Sequence, residues 1–251
     1  MIQNKIFIYG KHALTEALQN RPQAVKKIFL APYVDDPKLK ELIRKVGIPT
    51  SPLGGSSGKM PSEVSDNATH QGIIGQISLS DLVIPYEKFV ENLKINSNTA
   101  LVLLNEIQDP HNVGAVIRSA AAFGIAGVLI PEHNQAPITG AVVKVSAGMA
   151  FRIPIVSIGN ENHIIRDLKD KGFWTYGLAG EGAKSLNEEK FDAPSLFILG
   201  NEGAGIRAKT RELCDVLLSI PMHPQCESLN AATAMAITLY AWSAQHKGAL
   251  K

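Results

Sequence analysis

The stretch Ser219-Ile-Pro-Met-His-Pro-Gln-Cys-Glu-Ser-Leu-Asn-Ala-Ala-Thr-Ala-Met-Ala-Ile-Thr-Leu-Tyr240 combines a strand end, a proline-bounded turn, a polar loop and a helical pattern. Ser228 and Asn230 precede that pattern, and such residues cap helices because their side-chain oxygens accept the first unpaired N–H groups. The helix opens on four small residues, Ala231, Ala232, Ala234 and Ala236. Small side chains let another backbone or a ligand approach closely, and helix N-termini favour negative charge. The stretch predicts a capped helix and is compatible with a ligand site at its start.

Upstream of this stretch, unbroken apolar runs alternate with polar loops and helical patterns. The runs are Ala100 to Leu104, Gly127 to Ile130, Leu196 to Leu199 and Val216 to Ile220, and Thr175 to Gly180 ends a further strand with small residues. Strands buried on both faces are typically unbroken apolar runs, and their alternation with helices favours a parallel sheet. Ligands bind beyond the carboxyl ends of such strands, so the loops that follow them are the candidate site.

The first third of the chain predicts a smaller α/β unit of its own. Its predicted elements are strands at residues 5–9, 28–31 and 72–78 and helices at 12–19 and 37–46. An amphipathic helix around 86–93 lies in a connecting segment. We therefore expect a first domain at 1–80, a linker at 81–98 and a second domain at 99–251.

The composition indicates a globular protein without a membrane span. The 251 residues are 45% hydrophobic and 19% charged, which is typical of a globular protein and not of a disordered one. No apolar run reaches the ~18 residues of a membrane span and no signal peptide is recognisable, so we expect a cytoplasmic protein without a membrane contact. Cys214 and Cys226 are expected to be reduced, and His111, His133 and His223 lack metal-ligand spacing. We expect no metal.

The net charge of +2 is unevenly distributed. Residues 1–80 hold 10 Lys and Arg against 6 Asp and Glu, so the rest of the chain is slightly acidic. A basic first domain is what a nucleic-acid contact needs, although so small an excess is a weak signal. The Gly- and Ser-rich segment 51–60 predicts a mobile loop, and it lacks the glycine and the hydroxyl residue of a phosphate-binding loop.

Two loops carry polar residues that simple folding does not need. Val113, Val116 and Ile117 begin a helical stripe for which Asn112 is the predicted N-cap and Gly124 the residue after the C-cap. Arg118 directly follows Ile117 of that stripe, so its charged group must either extend to solvent or bind an anion. In the second loop, Gly200-Asn-Glu-Gly-Ala-Gly205, close glycines indicate an unusual backbone path, with Asn201 and Glu202 at the tip. The dinucleotide fingerprint Gly-x-Gly-x-x-Gly is absent there.

These loops together resemble the motifs of the SpoU/TrmH family of RNA ribose 2′-O-methyltransferases. The matching segments are Asn105-Glu-x-x-Asp-Pro-x-Asn112-x-Gly114-x-x-x-Arg118-Ser-Ala-x-x-Phe-Gly124, Leu199-Gly-Asn-Glu-Gly-x-Gly-Ile206, Ile220-Pro-Met222 and Ser228-Leu-Asn230. The first domain is similar to the family's substrate-binding domain, through Ile8-Tyr-Gly-x-His12-Ala and His70-Gln-Gly-Ile73. The layout is most similar to members that methylate a guanosine ribose in 23S ribosomal RNA, with transfer-RNA enzymes as an alternative.

The resemblance implies a fold, a cofactor, partners and a set of site residues. The second domain would be a SPOUT-type α/β trefoil knot threaded after Leu199, and the protein a homodimer with its site near the interface. The resemblance implies that five residues form the catalytic group: Asn112, Arg118, Glu202, Ser228 and Asn230. It implies that S-adenosylmethionine contacts Leu178, Gly180, Leu199, Gly200, Asn201, Ile220, Met222, Leu229 and Ala232. The partner would be RNA, with large-subunit ribosomal RNA as the expected substrate.

The role of Arg118 stays open at this point. Accounts of the family make the arginine the base, but freeing an arginine of its proton at pH 7 costs roughly 9 kcal/mol. A clamp on phosphate or on the developing alkoxide is the alternative. Two other functions also remain, a nicotinamide-dependent oxidoreductase and a non-catalytic RNA-binding paralogue. The missing dinucleotide fingerprint argues against the first, and the complete catalytic group argues against the second.

Overall fold

The computed structural model describes residues 4–53, 70–180 and 183–250. The chain forms two compact units, one of Met1–Val83 with Ile138–Arg152 and one of Ile84–Pro137 with Ile153–Lys251. The predicted division at 80 and 98 stays a prediction. What the sequence analysis did not expect is that the segment 138–152 packs with the first unit, since it lies well beyond the predicted linker.

The first unit is a four-stranded sheet with helices. Its strands are β1 (Lys5–Tyr9), β2 (Val25–Leu30), β3 (Thr50–Pro52) and β4 (Ile73–Ser78), in the order β1-β4-β2-β3. Its helices are α1 (Lys11–Asn20), α2 (Pro37–Val46), α3 (Leu79–Leu82) and, much later in the chain, α6 (Gly140–Val145). Short 3-10 turns occupy Pro22–Ala24 and Met149–Phe151. β1 and β2 pair antiparallel with the central β4, and β2 pairs parallel with β3.

Local signals determine the ends of α2. Asp36 caps its N-terminus by accepting a hydrogen bond from the Leu39 amide at 3.0 Å, Pro37 occupies the first turn, and Gly47 ends the helix in the left-handed region at φ 76°. This is the arrangement that favours proline at the start and glycine just past the end of a helix. The predicted bounds of this helix are confirmed.

The second unit contains most of the larger, eight-stranded sheet. The strands of this sheet are β5 (Val83–Pro85), β6 (Ala100–Leu104), β7 (Gly127–Pro131), β8 (Ile155–Ile158), β9 (Trp174–Leu178), β10 (Lys184–Ser185), β11 (Ser195–Leu199) and β12 (Val216–Ser219). Their order is β10-β12-β9-β11-β6-β7-β8-β5. The helices are α4 (Tyr86–Glu91), α5 (Pro110–Ala122), α7 (Glu161–Asp170), α8 (Ala208–Arg211) and α9 (Ala231–Gln245), with 3-10 turns at Leu186–Glu188 and Lys247–Leu250.

The centre of this sheet is parallel and buried, as the unbroken apolar runs predict. β11 pairs in parallel with β6 on one side and β9 on the other, and β6 pairs in parallel with β7. Every residue of β6, β7 and β11 is buried. The expected α/β fold with a parallel sheet is confirmed.

The start of α5 differs from the prediction. Asp109, not Asn112, is the N-cap of α5, because the Asp109 carboxylate accepts a hydrogen bond from the His111 amide at 2.8 Å and Pro110 begins the helix. The prediction of Asn112 as cap is therefore wrong, whereas Gly124 does follow the helix in the left-handed region at φ 73°. Most of the predicted mobile loop 51–60 lies outside the described residues.

None of the helices in residues 4–53, 70–180 and 183–250 combines the length and apolar character needed to cross a membrane. Within the same ranges no group of three or more His, Cys, Asp or Glu side chains is placed to hold a metal ion.

Candidate active site

A cavity of about 690 Å³ lies at the carboxyl ends of β9, β11 and β12, beside the start of α9. Its volume is within the range of small-molecule sites, ~300 to 1,000 Å³. Leu178, Leu199 and Leu229 line it with apolar surface, while Glu202 and Asn230 contribute polar groups. The cavity therefore lies where open parallel sheets bind ligands.

A chain of hydrogen bonds joins the three loops at this cavity. The Asn230 amide donates to Asn112 Oδ1 at 2.9 Å, and the Asn112 amide donates to Glu202 Oε1 at 2.7 Å. Asn230 also caps α9, because its Oδ1 accepts from the Thr233 amide at 3.1 Å. Asn112 is only 7% exposed, so its position in the first turn of α5 fixes it between the other two side chains. Three residues that lie up to 118 positions apart thus form one hydrogen-bonded polar group.

The loop that carries Glu202 is held closed by its own residues. The backbones of Asn201 and Gly205 exchange hydrogen bonds of 3.0 and 2.9 Å, and Asn201 Oδ1 accepts from the amides of Gly203 and Ala204. A Cβ added at Gly200 would lie 2.3 Å from the Gly205 carbonyl carbon. Gly200 is therefore required by close backbone packing inside the loop.

A second polar group attaches this loop to the end of β6. Asn105, which is fully buried, donates from its amide to the Glu161 carboxylate and accepts from the Arg207 amide at 3.2 Å. Glu106 forms an ion pair with Arg207. The backbone carbonyl of Glu106 accepts a hydrogen bond from the side-chain amide of Asn201 at 2.9 Å. Burial raises the pKa of the Glu161 carboxyl, and the hydrogen bond from Asn105 opposes that rise. Asn105 and Glu106 thus position the Glu202 loop.

Most of the predicted site residues lie at this cavity. Eight of the nine predicted cofactor contacts line it: Leu178, Gly180, Leu199, Gly200, Asn201, Ile220, Met222 and Leu229. The ninth, Ala232, is buried in the first turn of α9 and is not among the lining residues. Of the predicted catalytic residues, Glu202, Ser228 and Asn230 line the cavity, and Asn112 is hydrogen-bonded to two of these.

Arg118 is separate from this group in the single chain. It lies six residues after Asn112 on α5, which is about 9 Å along the helix axis and on a different helix face. Its side chain is exposed, and within the described part of the chain its guanidinium has no hydrogen-bond or ion-pair partner. The single chain therefore places a free cation near the site without bringing it into the cavity lining.

Sequence reasoning missed Asn105, Glu106 and Glu161 as supporting residues. An asparagine directly after a five-residue apolar strand was a visible signal for Asn105, because a buried amide needs partners. Glu161 had no comparable signal, since its contact with Asn105 spans 56 positions and depends on the sheet order.

Comparison with known proteins agrees with this geometry. The model of the SpoU rRNA Methylase family matches residues 99–240, and the model described as RNA 2′-O ribose methyltransferase substrate binding matches residues 7–82. The chain belongs to the SpoU rRNA Methylase family. It is thus an S-adenosylmethionine-dependent RNA 2′-O-methyltransferase, as the motifs of the second unit predict.

Several members of the SpoU family are similar over nearly the whole chain. A protein of Xanthomonas campestris pv. campestris named 23S rRNA (guanosine-2′-O-)-methyltransferase RlmB is 36% identical, with 99% of this chain and 100% of the relative covered. A protein of the same name from Shewanella oneidensis is 32% identical, with 93% and 94% covered.

Solved structures support the same fold. The SpoU methyltransferase AviRb of Streptomyces viridochromogenes, solved in complex with AdoMet, has a TM-score of 0.81 at 21% identity, with 98% of this chain and 92% of that chain covered. An AdoMet-bound rRNA methyltransferase of Sinorhizobium meliloti has a TM-score of 0.78 at 22% identity, with 95% and 87% covered. At these identities the likeness concerns the fold.

Proposed function

We propose that this SpoU-family enzyme transfers a methyl group to the ribose 2′-hydroxyl of a guanosine in 23S ribosomal RNA. The nucleotide class is that named for the relatives that are 32% and 36% identical over 93% or more of the chain. The observation that carries the proposal is the hydrogen-bonded group of Asn230, Asn112 and Glu202 beside the cavity. Such a fixed polar group can orient a hydroxyl and stabilise developing charge.

The cavity has the chemistry that S-adenosylmethionine requires. Leu178, Leu199 and Leu229 offer apolar surface for the adenine ring, and the polar side chains of Ser228 and Asn230 stand beside them. When bound, S-adenosylmethionine supplies an electrophilic methyl group on a sulfonium centre. We assign cofactor contacts to the eight predicted residues that line this cavity, and exclude Ala232 from the direct contacts.

The chain's own residues hold the ribose hydroxyl for attack. Asn112 keeps the Glu202 carboxylate in place through Oε1, and Oε2 has no partner among the residues that the structure describes. That oxygen is available to accept a hydrogen bond from the ribose hydroxyl, and then its proton as the hydroxyl oxygen takes the methyl group, or to pair with a guanidinium. Ser228 and Asn230 complete the polar side of the cavity.

Arg118 acts in this proposal as an electrostatic clamp. Its exposed, unpaired guanidinium suits a phosphate or a developing alkoxide better than proton removal, which costs roughly 9 kcal/mol at neutral pH. Arg118→Lys keeps the charge but loses the planar fork, so we expect turnover to fall about 10-fold or more while S-adenosylmethionine affinity stays unchanged. Nearly full turnover with an unaltered pH profile would contradict both the clamp and the base.

We further propose that two copies form a homodimer through α9. Its exposed stripe, Thr233, Ile237, Tyr240 and Ala244, is mostly apolar, and its opposite side packs Met235, Leu239 and Trp242 into the core. Phe123 at the end of α5 contacts Tyr240 edge to face at 5.9 Å between ring centroids, which extends the exposed patch towards the helix of Arg118. A helix that is apolar on both sides is normally covered on both sides, and a second copy would cover it symmetrically.

The homodimer is tested by Tyr240→Glu. Tyr240 is 62% exposed, so the change should not disturb the core of one chain, and a carboxylate in an apolar interface should separate the copies. We expect a monomer by sedimentation and a loss of methyl transfer of at least about 10-fold. A dimer of unchanged stability, or a monomer with full activity, would contradict the proposal.

The trefoil knot also remains a proposal. Its support is the strand order: after β11 the chain returns to place β12 on the far side of β9, between β9 and β10. Passage of the chain through a loop after Leu199 would account for this strand order.

The experiment that tests the function is incorporation of labelled methyl from S-adenosylmethionine into separate 23S rRNA and transfer-RNA transcripts. We expect labelled methyl groups in 23S rRNA and none in transfer RNA. The RNA backbone at the methylated ribose should resist alkaline hydrolysis. Label in transfer RNA alone would favour the alternative substrate, and no label in any RNA would favour a non-catalytic paralogue. Thermal shift by S-adenosylhomocysteine and not by NADH would exclude the oxidoreductase.

A further inference from the structure

One face of the small sheet in the first unit presents aromatic and basic side chains in register. β1 and β2 pair with opposite sides of β4, so residues at alternate positions point to the same face. Two rows cross this face: Phe7, Gln76 and Lys27 in the first, and Tyr9, Ile74, Phe29 and Ser51 in the second. Neither row contains a carboxylate. These seven residues form the aromatic face.

Part of the aromatic face is buried in a hydrophobic cluster, and the rest is half-buried. Phe7 and Ile74 are buried, in a small cluster with Ala31 and Leu53, whereas Tyr9 and Phe29 are half-buried beside them. The Lys27 ammonium lies 5.1 Å from the centroid of the Phe29 ring, and the Lys5 ammonium lies 5.9 Å from that of Phe7. A hydrophobic cluster explains the buried rings, but it does not require lysines at their edges.

Two polar side chains of this face, on β1 and β4, bear on what it could bind. Within the described part of the chain, the Tyr9 hydroxyl and the Gln76 amide have no hydrogen-bond partner. Tyr9 also lines a cavity of about 300 Å³, together with Lys5, Phe7 and Thr139. The start of α6 approaches β1 closely beside this cavity, because a Cβ added at Gly140 would lie 2.0 Å from the Phe7 carbonyl oxygen. Polar groups that have no partner among the described residues, beside aromatic rings and the Lys27 ammonium, indicate a ligand with hydrogen-bonding groups, a flat ring and a negative charge.

We infer that the aromatic face binds an unpaired segment of the RNA substrate, with bases stacked on Tyr9 and Phe29 and a phosphate at Lys27. Every base has a π-face that an aromatic ring can stack on, and a lysine beside the ring neutralises the phosphate that follows the base. Gln76, between Phe7 and Lys27, can hydrogen-bond a base edge. An RNA duplex would not bind the aromatic face in this way, because its paired bases are not free to stack on protein rings. The inference rests on the proposed function, because that function supplies the RNA.

The test uses the full-length enzyme and a 23S rRNA fragment that the wild type methylates. Phe29→Leu removes the ring and keeps an apolar side chain, and Lys27→Gln removes the charge. Lys26→Gln is the matched control, because Lys26 is the neighbouring residue, lies at the register shift between Val25 and Lys27 and pairs with Asp81 at 3.1 Å. For each variant we would measure the RNA Kd by filter binding at several salt concentrations, the KM for RNA, kcat, and the Kd of S-adenosylmethionine.

We expect Phe29→Leu to raise the RNA Kd and KM roughly 10-fold, with kcat at saturating RNA and S-adenosylmethionine binding unchanged. Lys27→Gln should reduce the salt slope of RNA binding by about one, and Lys26→Gln should leave it unchanged. Wild-type RNA affinity in both Phe29→Leu and Lys27→Gln, with methylation intact, would overturn the inference alone. Failure of the wild type to bind or methylate RNA would overturn the proposed function and, with it, the inference. If Phe29→Leu does not fold, Lys27→Gln decides, since this side chain lies outside the packed cluster.

Discussion

The two units differ in how far their polar groups are already satisfied. In the cavity of the second unit, Asn230, Asn112 and Glu202 bond to one another at 2.9 and 2.7 Å. On the aromatic face of the first unit, the Tyr9 hydroxyl and the Gln76 amide find no partner within the described residues. The polar side chains at the cavity are thus hydrogen-bonded to one another without a ligand, whereas those of the aromatic face are available to a ligand.

This difference matches the work that each unit is assigned. Catalysis gains from groups that need not reorganise in the transition state, so a closed hydrogen-bond chain is an advantage there. Recognition of an unpaired RNA segment needs surfaces that accept different base orientations, so open aromatic and polar groups suit it. Breaking the closed hydrogen-bond chain should therefore have a larger effect than changing the loop that supports it, and that in turn a larger effect than breaking an ion pair of the first unit.

Removal of the middle of the hydrogen-bond chain should have the largest effect. Asn112→Ala leaves Glu202 and Asn230 without their shared partner, and we expect kcat to fall about 10² to 10³-fold with little change in RNA affinity. Single-turnover methyl transfer measures the loss. Asn92→Ala is the control, since Asn92 is exposed and only caps α4 through the Lys88 carbonyl. Activity of Asn112→Ala within twofold of wild type would show that the hydrogen-bond chain of Asn230, Asn112 and Glu202 does not serve catalysis.

A change inside the supporting loop should weaken cofactor binding. Gly200→Ala places a Cβ 2.3 Å from the Gly205 carbonyl carbon and the Ile206 nitrogen, so the loop must move. We expect the Kd of S-adenosylmethionine to rise about 10- to 100-fold by calorimetry, about 1.4 to 2.8 kcal/mol. Gly203→Ala is the matched control in the same loop, because its Cβ would meet only the Asn201 side chain at an ordinary 3.7 Å. Equal affinities for the two variants would contradict the close-packing account of Gly200.

The smallest effect concerns a contact of the first unit that is already closed. The Arg152 guanidinium donates to both oxygens of the buried Glu16 carboxylate at 2.6 and 3.1 Å, and this holds the pKa of Glu16 below its usual value. A depressed carboxylate pKa stabilises the fold above the unfolded value of about 4.3, and the stabilisation is lost as pH falls through the folded value. Glu16→Gln should therefore cost about 1 to 3 kcal/mol at pH 7 and much less below pH 4, measured by denaturant unfolding.

The control for Glu16→Gln is Lys40→Gln, whose ion pair with Asp35 is solvent-exposed. This variant should leave the free energy of unfolding unchanged at both pH values. A destabilisation by Glu16→Gln that is equal at pH 7 and pH 3 would contradict the ion-pair account.

Much of the fold was predictable because local signals agreed with tertiary packing. Asp36, Pro37 and Gly47 gave α2 its ends, and the apolar runs predicted the central strands of the second unit. Short strands such as β3 and β10 were not predicted, because two or three residues carry no periodic pattern and depend on their neighbours in the sheet. Asn112 was misassigned as a cap because Asp109 offers the same chemistry three residues earlier.

The site was predictable where a motif places a side chain directly at a strand end, as for Glu202 and Asn230. The position of Arg118 relative to the cavity was not, since it depends on which face of α5 carries the side chain. The packing of 138–152 with the first unit was equally hidden, because it depends on contacts such as Glu16 with Arg152, 136 positions apart.

The central claim is that the three loops of the second unit hold a ribose hydroxyl for methylation. Its most direct test is nucleoside mass spectrometry of 23S rRNA after reaction with S-adenosylmethionine that carries a deuterated methyl group, for the wild type and for Asn112→Ala. We predict labelled 2′-O-methylguanosine from the wild type and almost none from the variant. Label on a base, or equal labelled 2′-O-methylguanosine from both proteins, would contradict the claim.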